Sequence, residues 1–357
     1  MVFATERIKE QARNSRSKPA ALSRFAFDPA DVAARLREQI RGQDDVINKI
    51  EDQLNVISAG LYDERRPLLS ALFIGATGTG KTETVRQLAK AIHGRSDAFC
   101  RIDMNTLSQA HYSAAITGAP PGYVGSKENL SLFDEDAIFG TSTKPGIVLF
   151  DEIEKADRSV IRALMNVLDN GTLRLASGQK SLSFDNTLVF MTSNIGSRTA
   201  ERLHWLDAIP GMSRSSIYKR ALLRHFDTEF INRIGIVDYF SALSVHAMPV
   251  LLDQRVDDLN QRLKRHQTRV ILDDYARDFL INKTDFKRFG ARALERTFRD
   301  LVVTGIAGFI NHGHKHTPTS TVSVSVADGR LTFNAIPDSH SEITSTSLKA
   351  TQGENHD

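Results

Sequence analysis

One eight-residue stretch constrains this chain more than any other: Gly75-Ala76-Thr77-Gly78-Thr79-Gly80-Lys81-Thr82. Ahead of it runs Ala71-Leu72-Phe73-Ile74, which reads as a buried strand. Behind it Val85, Leu88, Ala89 and Ile92 recur at helical spacing, so a helix opens just after the lysine. The pattern Gly-x4-Gly-Lys-Ser/Thr between a strand and a helix is that of a phosphate-binding loop. Its glycines let backbone N–H groups wrap an anion, and the helix N-terminus adds positive potential at the same place. On this reading Gly75 to Thr82 cradle the phosphates of a nucleotide. Lys81 neutralises the β- and γ-phosphates, and the Thr82 hydroxyl ligates Mg2+.

A binding loop alone does not hydrolyse. The run Ile147-Val148-Leu149-Phe150 is apolar throughout, as in a central parallel strand, and it delivers Asp151 and Glu152 to its carboxyl end. Asp151 is suited to hold Mg2+, and Glu152 to orient or deprotonate an attacking water. Together the two motifs describe an ATPase site.

The bulk properties narrow the rest. A chain of 357 residues buries a full core and divides into two domains. A net charge of +3 demands neither nucleic acid nor an anionic membrane as partner. Cys100 is alone, which excludes a disulfide scaffold and agrees with a cytoplasmic location. No apolar run reaches the length of a membrane span, and residues 1–25 are basic without a signal-type apolar core.

The expected domains are a mobile basic tail over 1–31, a large nucleotide-binding domain over 32–240, a small lid domain over 241–335 and a disordered Ser/Thr-rich tail over 336–357. Helical patterns cover about 30–60 with a break at Gly42-Gln43, then strands and helices alternate, which implies a parallel sheet with helices on both faces. The lid domain reads as mainly helical with a short sheet. Leu252, Val256, Leu259 and Leu263 share one helical face, and so do Leu294, Phe298, Leu301 and Val302. Val270-Ile271-Leu272 is a short strand, and alternation about Asp328-Gly329 marks a hairpin. His312, His314 and His316 lie among Gly and Lys without a nearby carboxylate or cysteine, and read as a solvated loop.

Several further motifs stand in order at matching intervals: Arg101-Ile102-Asp103-Met104, the loop Gly118 to Gly125, Phe150 to Ala156, Met191-Thr192-Ser193-Asn194, Glu229 to Ile234 and Phe289-Gly290-Ala291-Arg292. This set resembles the Clp family of AAA+ protein unfoldases and disaggregases, from about 36 to 335, and is most similar to the second ATPase module of its two-ring members. The resemblance implies an AAA+ phosphate-loop NTPase fold and an ATP-hydrolysing hexamer that pulls proteins through a central pore. It also implies roles for single residues. Asn194 is the polar sensor that positions water against the γ-phosphate. Arg233 is the arginine finger that reaches the ATP of an adjacent subunit, and Arg292 is the lid sensor of the γ-phosphate. Ile40 and Arg41 belong to the adenine-contacting turn. Tyr123 and Val124, at the tip of a loop set up by two prolines and flanking glycines, grip the substrate polypeptide. A second pore-facing loop is expected at about 170–183.

The sequence departs from the family pattern in places. Asp227-Thr228 replaces Arg or Lys plus Pro, Gly235 replaces a common Asp, and Arg41 stands where an aliphatic residue is usual. Arg41 either stacks on adenine or weakens base selectivity. Between 198 and 225 there is no Ile-Gly-Leu or Ile-Gly-Phe, the feature that docks some relatives on a peptidase, so a motor without a peptidase partner is expected. The expected partners are copies of the same chain, protein substrates and an adaptor. Two other readings remain: a motor dedicated to dismantling one complex, of secretion or phage type, and an ATP-regulated binding switch that does not translocate.

Overall fold

The computed structural model describes residues 24–108, 132–174, 181–202, 214–286, 290–313 and 320–336. The chain divides into two compact units, one up to Ala242 and one from Leu243.

The first unit opens with helices α1 (Pro29–Gln39) and α2 (Asp44–Ser58). Asp28 caps α1 by accepting from the Ala30 N–H at 2.8 Å, with proline next in the first helical position. Then come β1 (Leu69–Ile74), α3 (Lys81–His93), β2 (Cys100–Asp103), α4 (Glu135–Phe139), β3 (Gly146–Asp151) and α5 (Arg158–Asn170). A hairpin of β4 (Thr172–Arg174) and β5 (Ser181–Ser183) leads to β6 (Thr187–Ser193). Helices α6 (Ser197–Arg202), α7 (Arg214–His225) and α8 (Thr228–Asn232) precede β7 (Ile236–Tyr239).

Five of these strands form a parallel sheet in the order β2-β3-β6-β1-β7. Strands β3 and β6 are buried along their whole length, as apolar runs without alternation require. Successive residues still choose opposite faces. Leu72, Ile74, Val148, Phe150, Val189 and Met191 pack in one core with α5 and α7. Ala71, Phe73, Ile147, Leu149, Leu188 and Phe190 pack in the other with α1, α2 and α3. Helices therefore cover both faces of the sheet, as the strand–helix alternation implies.

The packed body begins ahead of position 32. Phe25 is buried against Phe27 and Tyr62, the Ala26 N–H donates to the Thr143 carbonyl, and Arg24 donates to the Asn186 side chain. Residues 1–23 and 337–357 lie outside the described residues.

The second unit contains α9 (Met248–Leu263), β8 (Thr268–Leu272), α10 (Asp274–Lys283), α11 (Ala291–Phe298), a π turn over Arg299–Val303, α12 (Thr304–Gly313), and the hairpin of β9 (Ser320–Ala327) and β10 (Arg330–Ile336). The three strands form one sheet in the order β10-β9-β8, with β8 parallel to β9. Leu252, Val256, Leu259 and Leu263 form the inner face of α9, and Leu294, Phe298 and Val302 join the same core. Leu301 does not. It is exposed, because the π turn adds a residue to the helical repeat and carries position 301 off the buried stripe. Among the described residues no helix is long and apolar enough to cross a membrane.

His93, the last residue of α3, sits half-buried with Nε2 3.0 Å from the Pro145 carbonyl, which accepts from the Nε2–H tautomer. Burial, the larger cause, holds its pKa below the usual 6.5, although the Pro145 bond pulls the other way. The unfolded chain therefore takes up this proton first. The stability tied to neutral His93 is present above pH 6.5 and is lost as pH falls through the lower folded value. Thermal melts of the intact chain between pH 7.5 and 5.5 should show a fall in Tm that His93→Gln reduces. An identical fall in both proteins would remove His93 as its source.

Candidate active site

The carboxyl ends of β3, β6 and β1 lie side by side, and the candidate residues gather there. Phe150 pairs with Met191 and Phe73 with Thr192, so Asp151, Thr192 and the start of the glycine loop come abreast. The loop leaves β1 at Gly75, whose N–H donates to the Ser193 carbonyl at 3.1 Å. A Cβ on Gly75 would stand 2.7 Å from the Phe240 carbonyl oxygen, so only glycine fits that approach. At the far end Gly80 has φ +102°, a left-handed conformation that costs glycine least. Helix α3 opens at the next residue with its first N–H groups free of intrahelical partners. No atom lies within 4 Å of where a Gly80 Cβ would be, so the mouth of the cradle is open.

Lys81 is buried, with its ammonium held by three oxygens: the carbonyls of Gly75 and Ala76, both at 2.7 Å, and Asn194 Oδ1 at 2.9 Å. The Asn194 amide then donates from Nδ2 to Glu152 Oε1 at 3.1 Å. A continuous bridge therefore runs from the loop lysine through Asn194 to the Glu152 carboxylate. Thr79 braces the loop by donating to the Ala76 carbonyl at 2.9 Å. Thr82 stands half-buried in the first turn of α3.

Asp151 is buried and Glu152 half-buried. Glu152 has φ +60°, a left-handed backbone that costs a non-glycine residue about 1–3 kcal/mol. Thr192 compensates for it. Its hydroxyl donates to Asp151 Oδ1 at 2.5 Å and accepts from the Glu152 N–H at 3.0 Å, fixing both acids from the neighbouring strand. The other Asp151 oxygen, Oδ2, accepts from Arg101 Nη2 at 2.6 Å and Nε at 3.1 Å. Glu154 Oε1 accepts from the Asn194 N–H at 3.1 Å, while its buried Oε2 has no partner among the described residues.

This donor set fits a magnesium nucleotide. The loop offers amides and a lysine for phosphate oxygens, and Thr82 and Asp151 offer the hard oxygen donors that Mg2+ takes alongside phosphate and water. Among the described residues no three His, Cys, Asp or Glu side chains are disposed to cage an ion.

A model of the AAA domain (Cdc48 subfamily) matches residues 66–237, and a model of the C-terminal D2-small domain of ClpB protein matches residues 243–324. The chain is 44% identical over 310 residues to the ATP-dependent protease ATP-binding subunit-like protein AmiB of Pseudomonas aeruginosa, covering 84% of each. The chain belongs to the Clp family of AAA+ ATPases. It is an ATPase of the kind that family uses to remodel proteins. The ATP-dependent protease ATP-binding subunit-like protein of Rhodococcus erythropolis is 39% identical, over 87% of this chain and 92% of its own length. Chaperone protein ClpB 2 of Nostoc is 34% identical, and this Clp chain spans only 34% of it. Among solved structures, a closed-state reconstruction of Hsp104 with ATPγS and FITC casein superposes with a TM-score of 0.71 at 28% identity, over 86% of this chain and 51% of that one.

The remaining expected site residues are less gathered. Ile40 is buried at the end of α1, and Arg41 follows half-buried, with its buried Nε lacking a partner among the described residues. The next turn is tied to the site: Gln43 donates from Nε2 to the Ser241 carbonyl at 2.9 Å and more weakly to the Thr79 carbonyl at 3.4 Å, and accepts from the Ser241 N–H. Arg233, just after α8, is engaged within its own chain by Asp169 at 2.6 Å and Glu229 at 2.7 Å. Arg292 is exposed in the first turn of α11, in the second unit. Tyr123, Val124 and their loop lie outside the described residues, as do Phe289 and the histidines at 314 and 316. The segment 170–183 forms the short β4–β5 hairpin, with 175–180 outside the description.

Sequence reasoning gave no individual role to Thr192, Arg101 or Glu154, and placed Gln43 in the adenine-contacting turn without its tie to Ser241. Thr192 carried a signal, since it breaks a wholly apolar strand one residue past Met191. Thr192→Val keeps the shape but strips Asp151 and the Glu152 N–H of their shared partner, costing about 1–3 kcal/mol of stability. If Glu152 is the water-activating carboxylate expected from the sequence, it then loses its fixed position, and turnover should fall on the order of 10²-fold with nucleotide affinity nearly kept. Steady-state ATPase and equilibrium binding check this, and unchanged turnover would deny Thr192 its positioning role.

Proposed function

We propose that this Clp-family chain is an ATP-driven ring motor that unfolds, remodels or disaggregates proteins by drawing them through a central pore. The observation that carries the reading is the bridge Lys81–Asn194–Glu152. It links the group that would meet the γ-phosphate to the group that would activate water, so nucleotide state and hydrolysis are read by one set of side chains.

Each residue has a task in this reading. Gly75 to Thr82 and Lys81 bind the phosphates, and the Ile40–Arg41 turn takes the base, where the partnerless Arg41 Nε has a donor to offer. Thr82 and Asp151 would hold Mg2+, which when bound would supply charge neutralisation to the phosphates. Glu152 accepts a proton from the attacking water, and Asn194 orients that water. Arg233 exchanges Asp169 and Glu229 for the ATP of an adjacent subunit, where a guanidinium finger is worth roughly 10³–10⁵ in rate. Arg292 reports γ-phosphate loss to the lid. Tyr123 and Val124 grip the client, a sequence-independent contact of aromatic and aliphatic surface with polypeptide. The working form is a homo-hexamer in the cytoplasm, with clients delivered by an adaptor and no peptidase partner. The Hsp104 reconstruction with casein supports a polypeptide substrate.

Two experiments test this. ATP should drive the unfolding of a tagged fluorescent reporter by the native chain, and Tyr123→Ala should lose unfolding at an unchanged ATPase rate. Unfolding by neither, with ATPase intact, would favour the motor dedicated to one complex or the binding switch. Separately, Arg233→Ala should be inactive alone and regain turnover when mixed with Glu152→Gln subunits. If the mixture stays silent, the finger does not act between subunits.

A further inference from the structure

Arg101 belongs to a motif, Arg101 to Met104, that the ATPase site as described leaves unused. Its position is set by the β2–β3 ladder. Asp103 pairs directly with Asp151, and Arg101 pairs with Leu149, so all four side chains share one face of the sheet. Two carboxylates side by side repel each other, and Arg101 answers that charge from the diagonal position. It places both Nε and Nη2 on one oxygen, Asp151 Oδ2, at 3.1 Å and 2.6 Å. Asp103 is otherwise used locally, accepting from the Asn105 N–H at 2.9 Å. With Thr192 on Oδ1, both oxygens of Asp151 are engaged by the protein itself. The two contacts are unlike. Thr192 is buried and fixed, whereas the Arg101 side chain is about half exposed (48%) and can swing into water at little cost.

We propose that Arg101 is a stand-in cation for the Mg2+ of the nucleotide, a positioning residue that holds the Asp151 carboxylate in place while the metal is absent and is displaced from Oδ2 when Mg2+·nucleotide enters. A guanidinium and a divalent cation need the same lone pairs and the same negative charge, so occupancy by one opposes the other. The arrangement keeps the buried acid paired in the metal-free state and raises the free Mg2+ at which the site loads. The inference deepens the proposed ATPase site and rests on Asp151 as the metal-holding carboxylate.

The test is a Mg2+ titration of the intact chain with a fluorescent ADP analogue, reading equilibrium binding, followed by the same titration of ATPase turnover. Arg101→Gln should lower the Mg2+ concentration at half-saturation roughly three- to fivefold, the upper part of the range for losing one half-exposed charged contact. Analogue affinity in EDTA should stay unchanged. Arg101→Lys, which keeps the charge without the fork, should fall between, and it guards against a folding defect in the first variant. Lys155→Gln removes the same charge from the neighbouring turn, where Lys155 is exposed, and should leave half-saturation within about twofold. An unmoved midpoint in Arg101→Gln, or an equal shift in Lys155→Gln, would overturn the stand-in role. Asp151→Asn separates the two levels: if it leaves the Mg2+ dependence untouched, Asp151 does not hold the metal and the inference falls with that reading. If it raises the midpoint while Arg101→Gln does nothing, only the inference falls.

Discussion

The parallel ladder of β3, β6 and β1 is the constraint on which the rest of the first unit depends. Its register is held from Leu69 opposite Leu188 to Ile74 opposite Ser193, and from Gly146 opposite Thr187 to Phe150 opposite Met191. Parallel strands end together, so this register brings the glycine loop, the two acids, Thr192 and Asn194 to one edge. A slip by one residue would turn each strand's alternate side chains toward the opposite core. The apolar cores on both faces thereby fix the position of every polar group at the strand ends. Stability and site geometry have one source.

At that edge, buried charge is matched group by group. Lys81 has two carbonyls and an amide oxygen, Asp151 has a hydroxyl and a guanidinium, and Glu152 has the Asn194 amide. Buried ionic groups are tolerable only when so paired. The same pairings define what a nucleotide must displace. Lys81 and Asp151 hold protein partners in the places where phosphate and metal would stand. Two polar atoms fall outside this accounting, Arg41 Nε and Glu154 Oε2. Among the described residues, the first flanks the turn assigned to the base and the second lies beside Asn194. Glu152 adds a further signature: a left-handed non-glycine residue held by Thr192 concentrates backbone strain on the acid proposed to activate water.

Arg233, the proposed finger, is held within its own chain. Asp169 and Glu229 take two sides of its guanidinium. Such a pairing satisfies the charge in the isolated chain and also orients the fork, and the same carboxylates become the groups that an incoming phosphate competes with. With Asp227-Thr228 and Gly235 around Arg233, α8 still forms and Phe230 stays in the core beneath it. These residues are compatible with the fold that presents Arg233.

The sequence by itself determined the sheet, both sides of its helical cover, the phosphate loop and the two acids, because each is written in local pattern: apolar runs, 3.6-residue spacing, and glycines where the backbone turns back on itself. It determined the lid's helices and hairpin in the same way, and failed at Leu301, where a π turn alters the period on which the pattern was read. What only the tertiary structure decided is which distant residues meet. The hydroxyl of Thr192 on Asp151, Arg101 on the same carboxylate, Asn194 between Lys81 and Glu152, and Gln43 against Ser241 join positions 41 to 198 residues apart. Sequence periodicity carries no information about such pairs, because a contact between strand ends depends on the order of strands in the sheet, and that order is settled by packing two cores at once.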